Sequence, residues 1–325
     1  MLNIAIVAGG DSGEYEISIG SGRQVEKNID HTRFTPYLIE IKGDHWTYLG
    51  ESVRIPVDRN DFSIHPGGKK ITFDAVFNAI HGTPGENGLL QGYFDLMKIP
   101  YTSCDLMTSA LTFNKAYCKA VVASYDVPVA SSVHLFRRDI DPVKKVLDGI
   151  KLPCFVKPNN GGSSVGMSKV KRPEDLAAAI EKAFAEDDQV LAEEFIPGRE
   201  LTCGVIRTQG NVIALPVTEI ISSKDFFDYE AKYTNGLAKE VVPAEISEEM
   251  SLHCRNISSM LFERLNCKGV VRFDYILSGD TFWFLEVNTV PGLSEASIVP
   301  KMANAYGWSF TELITRLLEE TITKS

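Results

Sequence analysis

No apolar run in the chain approaches the roughly 18 residues that would cross a bilayer, so no membrane-spanning helix is expected. The six cysteines stand at 104, 118, 154, 203, 254 and 267 with no CxxC pair and no repeated spacing. That argues against a disulfide framework or a cysteine-based zinc site and predicts buried free thiols. Positive charge is in short supply: 33 Lys and Arg stand against 43 Asp and Glu, a net charge of −10. General nucleic-acid binding is therefore not expected, although a nucleotide could still be held by a few placed lysines and backbone N–H groups. The common phosphate signatures are missing as well. The Gly9-Gly10-Asp11-Ser12-Gly13 turn does not meet GxGxxG, and no acidic residue ends a second strand where a dinucleotide fold needs one. The start, Met1-Leu-Asn-Ile-Ala-Ile-Val-Ala-Gly-Gly, has no basic region and an apolar run too short for a signal peptide, so a cytoplasmic place is expected. Internal repeats and low-complexity segments are not evident.

What remains is ordinary globular material: 325 residues, 44% hydrophobic and 23% charged, enough for two or three domains with a buried core. Residues 1–103 read as an open α/β unit, with a strand Ile4–Ala8, a helix from Glu14 to Asn28, and strands Tyr37–Ile41 and Ala75–Asn78. A ligand site is expected at the carboxyl ends of those strands, where Glu14, Ser18 and the His81–Gly88 loop gather. Residues 104–192 form a second unit. It has a helix Ala110–Tyr125 carrying Lys115 and Lys119, a strand Cys154–Lys157, a strand Met167–Val170 and a helix Pro173–Ala185. The strand Val190–Phe195 leads into a third unit, 193–325, which ends in a helix Ser309–Thr321. Charge and aromatics mix without a period over Ser222–Val242, which predicts a long mobile loop.

The chemistry concentrates in a predicted hairpin, Val271–Ile276 and Phe282–Asn288, with Leu277 to Thr281 as the connection. Strict alternation puts Arg272 and Asp274 on one face with Glu286 and Asn288, and Phe273, Tyr275, Leu285 and Val287 on the other. Two carboxylates and a carboxamide suit Mg²⁺, which takes one or two carboxylates plus substrate phosphates. Arg272 beside them suits an anion or a developing oxyanion. Taken alone, the same hairpin reads equally as a solvated surface. Lys157 ends an apolar strand before Gly161-Gly162-Ser163-Ser164 and Gly166, a loop able to aim N–H and hydroxyl donors at a polyphosphate, or else a plain hairpin tip. The stretch from Val190 to Glu200 is placed to meet an adenine edge with backbone groups and a ribose with Glu200, but Glu193 and Glu200 alone read more readily as solvated charges.

The ordered set Lys115, Lys157 with its Gly/Ser loop, the Glu193–Glu200 connector, Arg272/Asp274 and Glu286/Asn288 resembles the ATP-grasp superfamily. The resemblance extends to the D-alanine–D-alanine ligase family. It is carried by Gly9-Gly10-Asp11-Ser12-Gly13-Glu14-Tyr15-Glu16-Ile17-Ser18, by the His81–Gly92 loop and by Val156-Lys157-Pro158 with Gly162–Gly166. It continues through Asp228-Tyr229-Glu230-Ala231-Lys232-Tyr233 and Glu286-Val287-Asn288-Thr289-Val290-Pro291-Gly292. It implies an N-terminal open α/β (pre-ATP-grasp) domain followed by a two-lobed ATP-grasp fold, of α/β and α+β class. It further implies ATP as co-substrate, D-alanine as the ligated substrate, and two Mg²⁺ ions, replaceable by Mn²⁺, on Asp274, Glu286 and Asn288. ATP contacts are implied for Lys115, Lys157, Ser164, Glu193, Phe195, Ile196, Glu200 and Lys232. A triad of Glu14, Ser163 and Tyr233 would orient the substrates, and Arg272 with the Gly292 N–H would form an oxyanion site. Ser297 and the Ile298 N–H would take the second carboxylate, and His81 either binds substrate or serves its loop. A homodimer is expected.

Glu194 departs from the pattern, standing where many members carry a lysine, and the GTPGEN stretch is poorer in glycine. The rival readings are a D-alanine–D-lactate ligase, which usually lacks the tyrosine at 233, another ATP-grasp carboxylate–amine ligase, and a decayed nucleotide-binding protein. The last predicts loss of Lys157, Arg272, Glu286 or Asn288, and all four are present.

Overall fold

The computed structural model describes residues 1–222, 238–295 and 297–323. Leu2–Gly9 (β1) is nearly continuous apolar sequence, as a strand covered on both faces requires, and Tyr15–Asn28 (α1) crosses over to the parallel strand Phe34–Lys42 (β2). Two strands not predicted from the sequence follow, His45–Leu49 (β3) and Arg54–Pro56 (β4), both antiparallel. Their half-exposed side chains show no clean alternation, so the usual period-2 signal is missing. Ala75–Asn78 (β5) closes a five-stranded sheet of order β4-β3-β2-β1-β5. Leu89–Met97 (α2) packs beside it.

The helix predicted over Ala110–Tyr125 is two helices, Leu106–Phe113 (α3) and Lys115–Ala123 (α4). Asn114 breaks them, because its backbone is extended and its side chain accepts from the Tyr117 N–H at 3.1 Å as an N-cap. Lys115 thereby becomes the first residue of α4. Ser132–Phe136 (β6), Pro142–Gly149 (α5), Cys154–Pro158 (β7), Ser168–Val170 (β8), Leu176–Phe184 (α6) and Gln189–Glu194 (β9) build a four-stranded antiparallel sheet of order β6-β9-β7-β8. The strand predicted to lead into the third unit is β9, and its pairing on both edges makes it an inner strand of this middle sheet.

The chain then crosses to Arg199–Thr208 (β10), Asn211–Ala214 (β11), Thr218–Ser222 (β12), Ala238–Val241 (β13), Glu248–Arg264 (α7), Val270–Ser278 (β14) and Thr281–Asn288 (β15). These strands form a six-stranded sheet of order β13-β12-β10-β14-β15, with β11 also on β10. The segment predicted as a loop from Ser222 to Val242 therefore has strand at its described ends, where Ile221 pairs with Lys239. Ile298–Tyr306 (α8) and Phe310–Thr323 (α9) end the fold. Leu313, Ile314 and Leu317 of α9 share one core with Ile4, Ile6 and Phe77 of the first sheet and Ile206 and Val270 of the third. Burial of that apolar surface fixes the two sheets to each other. All six cysteines are buried free thiols, and among the described residues no helix is long and apolar enough to cross a membrane.

Candidate active site

The three sheets meet around a cavity of about 740 Å³. On one wall stands the β14–β15 hairpin, where Arg272 is directly opposite Asn288 and Asp274 opposite Glu286. Directly opposed residues share a face, so the four polar side chains are gathered as alternation predicts. Beyond Asp274 the expected alternation fails. The register shifts between Asp274 and Tyr275, which pairs with Phe284, and Leu285 is left as the extra residue of a bulge. Leu285 and Glu286 consequently both line the cavity, while Val287 sits in the core and Phe284 borders both. Leu285 does not belong to the apolar face to which the sequence assigned it.

The solvated-surface reading of the hairpin does not hold either. Asp274 is 3% exposed; its Oδ1 accepts from Thr202 Oγ1 at 2.6 Å and Arg272 Nε at 2.8 Å, and its Oδ2 from Arg272 Nη2 at 2.7 Å. Burial disfavours the Arg272 charge, but Asp274 outweighs it and holds the guanidinium above its ordinary range. Asn288 Oδ1 is buried with no hydrogen-bond partner, a rare state for an acceptor. Two carboxylates and an orphaned amide oxygen fit a hard divalent cation. Among the described residues no cluster of three or more His, Cys, Asp and Glu could hold a metal unaided, so a cation here would draw further oxygens from a bound phosphate.

The opposite wall comes from the loop after β7. Ser163 and Ser164 sit at its tip with φ of 53° and 58°, the left-handed region that costs a non-glycine residue energy. Ser163 Oγ donates to Glu14 Oε1 at 2.6 Å, joining the first sheet's loop to the middle sheet's loop. Gly162 makes that approach possible, since a Cβ there would stand 3.0 Å from Glu14 Oε2. Lys115 Nζ donates to the Gly161 carbonyl and lies 3.8 Å from Glu286 Oε2. Lys157 Nζ is 2.8 Å from Glu193 Oε2, and Lys119 Nζ is 2.9 Å from Glu193 Oε1. Glu193 is buried, not a solvated charge, and although burial raises its pKa, the two ammonium groups bring it below the usual carboxylate range. Ser164, Phe195, Ile196 and Glu200 line the same cavity. The Phe195 ring lies 5.9 Å from that of Phe155, with Lys169 Nζ 3.9 Å from its centroid.

The floor is the segment after β15. His81 is buried, with Nδ1 2.7 Å from the Val290 carbonyl and Nε2 3.1 Å from Ser21 Oγ. The first contact requires the proton on Nδ1. Ser21 Oγ in turn accepts from the Leu293 N–H at 3.3 Å. With both ring nitrogens engaged, and burial lowering its pKa, His81 in this arrangement serves the loop, one of the two roles left open for it. Glu86 clamps the same loop by accepting from the Gly82 N–H at 2.7 Å and the Val290 N–H at 3.1 Å. Burial and the nearby Glu14 push its carboxyl up to about 7. Gly292 packs closely on Ser297, and a Cβ there would stand 2.7 Å from Ser297 Oγ, so the serine would have to shift. Ser297 precedes α8 and pairs its hydroxyl with Ser294 Oγ at 2.8 Å, and Ile298 opens the helix. Lys232 and Tyr233 lie outside the described residues. Sequence reasoning missed Thr202 and Ser21, which carry no motif, and gave no role to Glu86 and Lys119, though both lay in segments it singled out.

Two family descriptions match the chain: "D-ala D-ala ligase N-terminus" over residues 3–104 and "D-ala D-ala ligase C-terminus" over 121–319. A D-alanine–D-alanine ligase of Flavobacterium johnsoniae is 45% identical over 98% of this chain and 99% of its own length. One from Phocaeicola vulgatus is 43% identical over 97% and 98%. Among solved structures, the VanG D-Ala:D-Ser ligase of Enterococcus faecalis superposes with a TM-score of 0.89 at 32% identity, covering 98% of both chains. The D-alanyl-alanine synthetase A of Vibrio cholerae gives 0.89 at 28%, covering 99% of this chain and 98% of that one.

Proposed function

The chain belongs to the D-alanine–D-alanine ligase family, and on that premise we propose how its residues join two D-alanines at the expense of ATP. The fold is that of the ATP-grasp ligases, read as units 1–103, 104–192 and 193–325, and the dipeptide serves peptidoglycan synthesis in the cytoplasm. ATP enters the 740 Å³ cavity with its adenine beside Phe195 and Ile196 and its ribose at Glu200. Lys115 and Lys157 take the α- and β-phosphates beside Ser164, and Lys232 the γ-phosphate. Two Mg²⁺ ions, or Mn²⁺ in their place, would be held by Asp274, Glu286 and Asn288 and would neutralise charge on the phosphates.

The first D-alanine sets its ammonium against Glu14, and its carboxylate accepts the γ-phosphoryl group to give an acyl phosphate and ADP. The amine of the second D-alanine, held by its carboxylate at Ser297 and the Ile298 N–H, attacks that carbonyl. Arg272 and the Gly292 N–H receive the oxyanion of the tetrahedral intermediate, worth about 3 kcal/mol per preorganised donor. Collapse forms the amide and expels phosphate, while Glu14, Ser163 and Tyr233 keep the substrates aligned. His81 stays in the loop that presents Gly292, so its part in substrate binding is indirect.

The observation that supports this reading is the 2.6 Å bond from Ser163 to Glu14, which joins the carboxylate proposed for the ammonium to the loop proposed for the phosphates. A homodimer is supported by the exposed stripe of Leu89 and Leu96 on α2 with Leu106 and Met107 on α3, apolar surface that a second copy would cover. Phosphate release from ATP with D-alanine, run beside L-alanine, D-serine and D-lactate, tests the function. Release with D-alanine alone supports it, and release only with another second substrate overturns it.

A further inference from the structure

Lys119 has no place in the mechanism above, yet it is one of the most deeply buried cations in the protein, at 3% exposure. It lies one helical turn after Lys115 on α4, so both project from the same face. Lys115 lines the cavity, whereas Lys119 lies behind the wall. Its ammonium donates to the Ala130 carbonyl at 3.0 Å and meets Glu193 Oε1 at 2.9 Å. The other oxygen of Glu193 is 2.8 Å from Lys157 Nζ. One buried carboxylate is therefore shared by two buried ammonium groups, and the trio carries a single net positive charge. A carboxylate held by Lys157 alone would cancel that lysine's charge and draw its three donors inward. Glu193 is instead held between the two lysines, 2.9 Å from the one that does not reach the cavity and 2.8 Å from the one that does. Burial draws Lys119 below the ordinary lysine range, whereas Glu193 keeps Lys157 above it in spite of burial.

We propose that Lys119 is a positioning residue for ATP: by sharing Glu193 it leaves part of the positive charge of Lys157 for the phosphates. The inference rests on the ATP-binding reading above. Its measure is the ratio of adenosine to ATP dissociation constants, found by calorimetry on the full chain, because adenosine lacks the phosphates and reports only the base and ribose sites. Lys119→Met should shrink that ratio by about tenfold, the loss of one charge-assisted contact. Adding Glu193→Gln to it should restore the ratio, since the neutral amide no longer cancels Lys157. Glu193→Gln alone, which tests the same balance if Lys119→Met does not fold, should hold the ratio or raise it. A purely structural Lys119 would weaken adenosine and ATP together and leave the ratio unmoved. That result, a double variant that stays depressed, or a fall in Glu193→Gln alone, overturns the proposal. Wild-type protein that binds no ATP would instead overturn the reading on which it rests.

Discussion

The two walls of the cavity are built on opposite principles. The β14–β15 hairpin fixes its polar groups by strand register, with Asp274 opposite Glu286 and Arg272 opposite Asn288, and Thr202 of the neighbouring strand locks the pair from behind. The loop from Gly161 to Gly166 has no such ladder. Its tip is held in left-handed backbone at Ser163 and Ser164 and tied to the rest of the protein through Glu14. Register sets spacing rigidly, whereas a loop held by a few side-chain bonds can change when a ligand competes for them. The contrast assigns fixed chemistry to the first wall and adjustable binding to the second.

The hairpin should therefore give the largest losses. Glu286→Gln and Asn288→Ala are each expected to lower kcat by orders of magnitude with circular dichroism unchanged, because both are proposed to serve the metal and not the core. Near-normal turnover across a Mg²⁺ titration would break the contrast at its strong end. On the loop wall, Lys157→Ala should raise KM for ATP by about tenfold, one charge-assisted contact, while KM for D-alanine stays within error. A KM for ATP that does not move would return Lys157 to a structural part. Glu14→Gln should cost on the order of 1.5–3 kcal/mol at the first D-alanine site, the worth of a hydrogen bond to a charged group. ATP affinity measured without D-alanine should hardly change, and a large drop would refute the placement of Glu14.

A pH-dependent effect belongs to Glu86, in the clamp between the walls. Its folded pKa of about 7 lies above its ordinary value of 4.5. An acid raised on folding contributes stability that is fully present below its unfolded pKa and lost as pH rises through the folded one. Between pH 4.5 and about 7 the wild type should thus lose Tm relative to Glu86→Gln, with the gap constant above that window. Parallel melting curves for the two proteins would show that the clamp carboxylate is already ionised at low pH.

Much of the site could be read from the sequence because it rests on period and local chemistry. Alternation along Arg272–Asp274 and Glu286–Asn288 follows from a fixed pleat, and glycines after Lys157 follow from backbone freedom. The reading broke where a long-range partner overrides a local rule. Nothing in Leu285-Glu286 signals the bulge that turns both toward the cavity. Nothing near Asn114 signals that its own cap would split a helix-forming stretch. Thr202 matters through a residue 72 positions away and Ser21 through residues 60 and 272 positions away, and no local pattern encodes such a contact.

The cysteines have a practical use. None occurs before residue 104, and all six are buried thiols. Burial pushes Cys118 up to about 12 and Cys154 up to about 11, so at neutral pH neither reacts until its surroundings open. Cys154 belongs to the core of the middle sheet, and Cys104, Cys118, Cys203, Cys254 and Cys267 to the core beneath β10, β14 and β15. The unmodified enzyme therefore carries its own set of chemical clocks. The rate at which a thiol reagent labels Cys154, compared with Cys203, times the breathing of one nucleotide-gripping lobe against the other, while the first sheet stays silent.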